Sequence, residues 1–287
     1  MRSTSKLKAI LARRQALPFP GAANAMFARV IEELGFEVCY VTGAGIANMH
    51  LGAPDVGLTT LTEVANTVSA IADSVSVPLL VDADTGFGNA VNMVRTVKVL
   101  ERAGAAGIQI EDQVFPKKCG HFEGKDVVPL DDMVSKIKAA VDTRGDADFQ
   151  IIARTDARAV HGLEDAIARA QAFVEAGADA TFVEAPVSVD EMARIGREIK
   201  VPQIANIVFG GKTPDPGREA LASMGFAGVL YANAALQAAL RASYEVLSAL
   251  KRDGSLANVA DRLATFQERQ AAVAKPRWDA LEARYKV

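Results

Sequence analysis

Hydrophobic residues in this chain come in short continuous runs rather than in strict alternation with polar ones. The runs are Leu17-Pro20, Val38-Thr42, Leu79-Asp84, Gly107-Asp112, Gln150-Thr155, Ala180-Ala185, Ile204-Val208 and Gly228-Asn233, eight in all. Such runs read as strands covered on both faces. Between them lie stretches with helical spacing, among them Leu61-Ser74, Asn92-Ala103, Leu163-Ala176 and Val189-Ile199. Strands alternating with helices imply a parallel sheet with crossover helices. The Ala-Gly-Ala units at Ala103-Ala105 and Ala176-Ala178 read as helix ends turning into the next strand.

Eight strands in 287 residues point to a barrel, since (β/α)8 barrels fold as one domain of about 250 residues. A doubly wound sheet would carry Gly-x-Gly-x-x-Gly after its first strand, and that fingerprint is absent here. The expected fold class is therefore α/β, a (β/α)8 TIM-type barrel spanning residues 1–287 as a single domain. Met1 to Leu17 reads as an amphipathic first helix carrying Leu7, Ile10, Leu11 and Leu17. It is basic, but it lacks the apolar core and cleavage signal of a targeting peptide. After the eighth run come helical stretches Ala235-Asp253 and Asn258-Ala274, then a segment after Lys275-Pro276 with the only tryptophan, Trp278. Residues 235–287 exceed what one barrel needs, so this extension is expected to pack on a partner subunit.

Half of the residues are hydrophobic, enough for a sizeable core, and the net charge of −3 gives no sign of nucleic-acid or membrane binding. Cys39 and Cys119 make no disulfide framework, which suits a reducing cytoplasm. No apolar run reaches the roughly 18 residues of a membrane span.

Catalytic groups of such barrels sit at the C-terminal ends of strands. Strand two ends in Thr42-Gly43-Ala44-Gly45, whose backbone N–H groups suit a carboxylate or phosphate. Strand three ends in Asp82-Ala83-Asp84, and strand alternation puts both acids on one side. Two such carboxylates repel unless a cation lies between them, and hard oxygens suit Mg²⁺, with Mn²⁺ as an alternative. A helix cap plus a turn aspartate is the structural alternative. Strands four to seven end in Glu111-Asp112, Arg154-Thr155-Asp156, Glu184-Ala185-Pro186 and Asn206. Arg154 suits bidentate carboxylate recognition, or a salt bridge to one of these acids.

Lys117-Lys118-Cys119-Gly120-His121 follows six residues after Glu111. A thiol flanked by cations is expected to be more acidic than a free cysteine, and able to exchange a proton near neutral pH. An exposed basic loop is the bland alternative. His50 and His161 lack metal-ligand spacing, and Cys39 lies inside an apolar strand. Gly210-Gly211-Lys212-Thr213-Pro214 lacks the first glycine of a phosphate loop and reads as a loop over the barrel mouth.

Taken together, these residues resemble the isocitrate lyase / phosphoenolpyruvate mutase superfamily over nearly the whole chain. Lys117-Lys118-Cys119-Gly120-His121 is the most specific match and is the signature of the carbon–carbon lyase branch. Leu51-Gly52-Ala53-Pro54-Asp55, Val81-Asp82-Ala83-Asp84-Thr85-Gly86, Ile110-Glu111-Asp112-Gln113 and Ala153-Arg154-Thr155-Asp156-Ala157 also match. The mutase and phosphonopyruvate hydrolase branches lack the cysteine motif.

The resemblance implies that Thr42, Gly43 and Ala44 receive the substrate's α-carboxylate, and that Asp82 and Asp84 hold Mg²⁺, with Glu111 and Asp55 behind them. It implies that Cys119 protonates a carbanion, and that Arg154, Glu184 and Asn206 contact substrate oxygens. Lys117, Glu111 and His121 join Cys119 and Arg154 as candidate catalytic groups, and Asp55, Lys118 and Gly120 as candidate substrate contacts. It further implies a cytoplasmic homotetramer that exchanges a C-terminal helix between barrels and acts on a small dicarboxylate. The general base for the substrate hydroxyl is left open.

Departures from the family narrow the substrate. Methylisocitrate lyases carry an Arg on the helix after strand eight where this chain has Gln237, which disfavours a tricarboxylate. The sequence around Cys119 and Ala178-Pro186 looks closer to 2,3-dimethylmalate lyases and to 2-alkylmalate lyases that also hydrolyse oxaloacetate. In those relatives a Ser at the end of strand eight goes with oxaloacetate hydrolysis, whereas this chain has Ala232. Carbon–carbon cleavage of a 2-alkylmalate-type diacid is the leading expectation. Oxaloacetate hydrolysis or decarboxylation, methylisocitrate cleavage and a non-catalytic dicarboxylate-binding barrel are the alternatives.

Overall fold

The computed structural model describes residues 1–120 and 124–286. Eight parallel strands close into a barrel in chain order: β1 (Leu17–Ala22), β2 (Cys39–Val41), β3 (Leu79–Asp82), β4 (Gly107–Glu111), β5 (Gln150–Thr155), β6 (Ala180–Val183), β7 (Gln203–Asn206) and β8 (Phe226–Tyr231). Each of the eight apolar runs forms a strand, and β8 pairs with β1 to complete the ring.

The continuous hydrophobicity of the runs follows from two buried faces. Cys39, Val41, Leu79, Val81, Ile108, Ile110, Ile151 and Ala153 face outward into a core shared with the surrounding helices. Phe19, Tyr40, Leu80, Ile152, Phe182 and Ile204 form the barrel interior. Side chains two apart along a strand share a face. Asp82, Arg154, Glu184 and Asn206 each follow one of these interior residues by two, so they rise together at the C-terminal mouth. Glu111 stands in the same relation to Gln109 on β4.

The first helix, Ser3–Ala12, closes the opposite end, where Leu7, Ile10 and Leu11 join the interior cluster. Gly107 makes room for it, since a Cβ there would stand 3.0 Å from Leu7 Cδ2. Leu17 belongs to β1 and not to this helix, because Arg14 and Ala16 take positive φ (49° and 45°) and end the helical path before it.

The extension departs from expectation in one place. Helix Ala234–Asp253 forms as expected, but residues 258–274 do not make one helix. A short 3-10 turn, Ala257–Arg262, contains Val259 at φ −133°, and a new helix, Phe266–Ala272, starts at Thr265. Thr265 accepts the Glu268 N–H while Glu268 reaches back to the Thr265 N–H, a capping box that starts a separate helix. Helix Lys275–Tyr285 follows. Leu240, Tyr244 and Leu247 line an exposed apolar stripe of Ala234–Asp253, and Trp278 is also exposed. Among the described residues, no helix is long and apolar enough to cross a membrane.

Candidate active site

Asp82 and Asp84 converge, though not by strand alternation. β3 ends at Asp82, and Asp84 lies beyond it in the left-handed region at φ 47°. The Asp84 N–H donates to Asp82 Oδ1 at 3.2 Å, which fixes this turn. Both carboxylates face Gly43, where a Cβ would stand 3.0 Å from Asp82 Oδ2 and 3.3 Å from Asp84 Oδ1. Gly43 opens a short helical turn capped by Thr42, whose Oγ1 accepts the Gly45 N–H at 3.1 Å. Thr42, Gly43 and Ala44 therefore adjoin the two acids. Thr42 Oγ1 also donates to Asn233 Oδ1 at 3.4 Å, which ties the end of β2 to the end of β8.

Lys117 enters this cluster from the side. Its buried Nζ stands 2.7 Å from Asp55 Oδ1 and 2.7 Å from Asp84 Oδ1. The contact to Asp84 is a close, buried ion pair, so Lys117 is shared between the two carboxylates. Burial disfavours the ammonium, but Glu111, Asp84, Asp82 and Asp55 outweigh it and hold its pKa well above the usual lysine value. Burial pushes the Asp84 carboxyl up to about 6, against the pull of Lys117 and with Asp82 adding to the rise. Glu111 is likewise raised well above the carboxylate range by burial, although Arg154 and Lys117 oppose it.

Arg154 takes the salt-bridge role, and with more than one acid. Its Nε and Nη2 donate to Asp156 at 2.8 and 3.0 Å, a bidentate fork. Nε also lies 3.3 Å from Glu111 Oε2, and Nη2 3.6 Å from Glu184 Oε2, with Phe182 beneath the guanidinium at 5.1 Å. Burial would raise the Asp156 pKa, but Arg154 and Lys125 bring it down to about 2. Asn206 donates to both Glu184 oxygens at 3.4 Å, and its own Oδ1 accepts nothing among the described residues. Asp112 points away from Glu111. It accepts the Thr155 hydroxyl at 2.7 Å and the Asp156 N–H at 2.9 Å, and so anchors the end of β5.

The lysine–cysteine segment folds down onto this rim. The Cys119 N–H donates to the Asp55 carbonyl at 3.1 Å, and Gly120 is buried against Arg154 and Glu184. The two flanking lysines have oxygen partners of their own. Lys117 pairs with the acids, and Lys118 Nζ donates to the Gly124 carbonyl at 2.9 Å. The four carboxylates around Lys117 hold its ammonium firmly in place. Cys119 itself is half-buried. His121 lies outside the described residues.

Four contributors escaped the sequence reading. Tyr40 lies in the barrel interior and shares a hydrogen bond with Asp82, and burial and that carboxylate raise its phenol pKa. Gln113, Lys125 and Asp156 hold the segment around Cys119. A polar residue inside an apolar run was the available signal for Tyr40; Asp156 stood at a strand end and Gln113 in a matched motif, but the segment they help to hold lies across loops. A cavity of about 970 Å³ opens beside the rim between helices Ala90–Arg102 and Leu130–Thr143. It shares Thr85 and Gln113 with the rim but none of the site's acids, so the chemistry lies elsewhere.

Among the described residues, no three His, Cys, Asp or Glu side chains form a ready-made metal cage. The donor set nonetheless suits a hard cation that keeps most of its waters. Asp82 and Asp84 converge on one volume, and the buried Glu111 Oε1 has no hydrogen-bond partner among the described residues. Mg²⁺ is typically held by one or two carboxylates and several waters. The acids Asp55, Asp82, Asp84, Glu111, Asp156 and Glu184 also outnumber the buried cations Lys117, Lys125 and Arg154.

The family model for phosphoenolpyruvate phosphomutase matches residues 7–251. The chain belongs to the phosphoenolpyruvate mutase/isocitrate lyase superfamily. Within that superfamily it is similar to the 2,3-dimethylmalate lyase of Eubacterium barkeri, with 47% identity over 268 residues, covering 93% of each chain. It is also similar to the 2-methylisocitrate lyase of Aeropyrum pernix, with 46% identity over 262 residues, covering 91% of this chain and 84% of the relative. A superfamily structure of phosphonopyruvate hydrolase in complex with oxalate and Mg²⁺ superposes with a TM-score of 0.90 at 32% identity, covering 99% of both chains.

Proposed function

We propose that this protein is a Mg²⁺-dependent carbon–carbon lyase that cleaves a 2-hydroxy dicarboxylate of the 2-alkylmalate type into a 2-keto acid and a carboxylic acid. The observation that carries this reading is the seat of the Cys119 segment. Gly120 lies against Arg154 and Glu184, and Cys119 hangs from the Asp55 carbonyl, beside the paired carboxylates. A proton donor stands next to an oxygen-rich cation site.

Asp82 and Asp84 would hold the metal, with Glu111 and Asp55 behind them. The chemistry a bound Mg²⁺ supplies is a lowered pKa of the substrate hydroxyl. The backbone of Thr42, Gly43 and Ala44 receives the α-carboxylate. As a general base takes the hydroxyl proton, the carbon–oxygen bond becomes a carbonyl and the adjacent carbon–carbon bond breaks. Its electron pair passes to the departing fragment as an enediolate. Arg154, Glu184 and Asn206 face the substrate oxygens, and negative charge developing there meets the fixed donors of Arg154 and Asn206. The Cys119 thiol gives its proton to the carbanion carbon. Lys117 keeps the acid cluster from repelling an anionic substrate, and Lys118 and Gly120 line the site on that side.

Gln237 is neutral, which weighs against a third substrate carboxylate, and Ala232 offers no hydroxyl for oxaloacetate hydrolysis. The same reading makes the protein a cytoplasmic homotetramer exchanging helix Ala234–Asp253. The stripe of Leu240, Tyr244 and Leu247, exposed in the single chain, supports it, and light scattering tests the assembly.

The deciding experiment is keto-acid release with Mg²⁺ from 2-methylmalate, 2,3-dimethylmalate, methylisocitrate, isocitrate and oxaloacetate, with oxalate and acetate followed in parallel. Turnover of an alkylmalate is the expected result. Turnover of methylisocitrate or oxaloacetate alone overturns the substrate assignment, and silence across the panel overturns the lyase reading.

A further inference from the structure

The backbone on both sides of Cys119 is pinned by two buried side chains that have no other function assigned above. The stretches 112–114 and 126–128 run antiparallel as two legs: Val114 N–H donates to Asp126 O at 2.9 Å, and Val128 N–H to Asp112 O at 2.8 Å. Gln113 on the first leg clasps the residue before the thiol. Its Oε1 accepts the Lys118 N–H at 2.8 Å, and its Nε2 donates to the Lys118 carbonyl at 2.9 Å. Lys125 on the second leg takes the residue after the thiol. Its Nζ donates to the Gly120 carbonyl and, at 2.7 Å, to Asp156 Oδ1, the carboxylate that also holds Arg154. The Cys119 N–H is fixed in turn by Asp55.

We propose that Gln113 and Lys125 are positioning residues that set the placement of the Cys119 thiol, from the N-terminal and C-terminal side respectively. Gln113 is 1% exposed and the Lys125 side chain 2%. A buried amide that uses both ends on the N–H and carbonyl of one residue holds that residue in position and orientation alike. Lys125 links the same segment to the Arg154–Asp156 pair, so the proton donor and the group facing the substrate oxygens share one support. Misplacing a reacting group by about an ångström costs on the order of a hundredfold in rate. The rate part of this inference rests on the lyase reading; the placement part does not.

The test uses Gln113→Leu and Lys125→Met in the full chain, which act on different contacts, so a folding failure in one leaves the other informative. Cysteine alkylation by iodoacetamide is followed residue by residue by mass spectrometry, alongside kcat and KM on the best substrate. The expected result is Cys119 alkylation at least tenfold faster, unchanged protection of buried Cys39, and kcat lowered by at least tenfold with KM within threefold. Cys39 guards against general loosening, because it reacts only if the barrel opens. Cys119 alkylation and kcat both at the wild-type level, or Cys39 reacting together with Cys119, overturn the proposal. Faster Cys119 alkylation in a protein that turns over no substrate supports the placement role while refuting the lyase reading.

Discussion

A Cβ on residue 120 would stand 2.5 Å from Arg154 Nη2 and 2.5 Å from Glu184 Oε1. Neither partner can yield easily, because Arg154 is forked to Asp156 and Glu184 is held by Asn206. Gly120→Ala therefore lifts the Cys119 segment from its seat while leaving the barrel core untouched. Turnover should fall by about a hundredfold, the scale set by small displacements of reacting groups. Thermal melting should stay close to wild type. Normal kcat/KM in this variant would mean that the segment sits elsewhere during turnover.

Cys119→Ala removes the proton donor without touching the carboxylates. General-acid catalysis contributes typically about 10²–10⁴-fold, so kcat should drop by that order while substrate affinity changes little. Cys119→Ser retains a hydroxyl of much higher pKa and should do nearly as badly. Steady-state kinetics with a binding measurement on an unreactive dicarboxylate check both. Near-normal turnover in the alanine variant would remove the thiol from the chemistry.

Much of this site was legible before the structure because a barrel converts strand ends into one rim. Asp82, Arg154, Glu184 and Asn206 could be placed there once the runs were read as strands, since each sits two residues beyond an interior apolar side chain. The length of each strand was less legible. Asp84 lies past the end of β3, and a left-handed turn, not the pleat, brings it back to Asp82. The partners of Lys117 and Lys118 were hidden for a related reason. Adjacency to Cys119 in sequence says nothing of where a four-carbon side chain ends, and the acid cluster decides that. The holding roles of Gln113 and Lys125 gave no signal, because what they hold is backbone across a loop. The break between Arg262 and Phe266 had a signal that went unused: Thr265 followed by Glu268 is a helix start.

Metal affinity should depend on pH through Asp84. Burial lifts its pKa to about 6, so a proton competes for this carboxylate well above the ordinary range. Titration calorimetry with Mg²⁺ should show affinity nearly constant from pH 7 to 8 and weakening below about 6. Once Asp84 is protonated, each further pH unit should cost up to about tenfold. Asp82→Asn should weaken binding at every pH, and excess chelator should silence the enzyme. Activity persisting in chelator would refute the metal assignment.

Asp112 offers a test of burial that is separate from catalysis. Burial raises its pKa to about 6, despite the Asp156 N–H, the Thr155 hydroxyl and Arg169 pulling the other way. An unfolded aspartate titrates near about 3.9. For an acid raised on folding, the native state binds more protons than the unfolded state between those values. The stability from this group is therefore complete below about pH 4 and lost as pH rises through about 6. Asp112→Asn cannot ionise and lacks this loss. Asn keeps one acceptor oxygen where Asp112 uses both, for the Thr155 hydroxyl and the Asp156 N–H, so the variant should be less stable than wild type. The gap should nonetheless narrow by about 1 kcal/mol between pH 5 and pH 8, the size expected from linkage across that window. Urea midpoints of both proteins across this range measure it. A gap that stays constant or widens with pH would show that Asp112 titrates as an ordinary aspartate, and that its buried hydrogen bonds outweigh its desolvation.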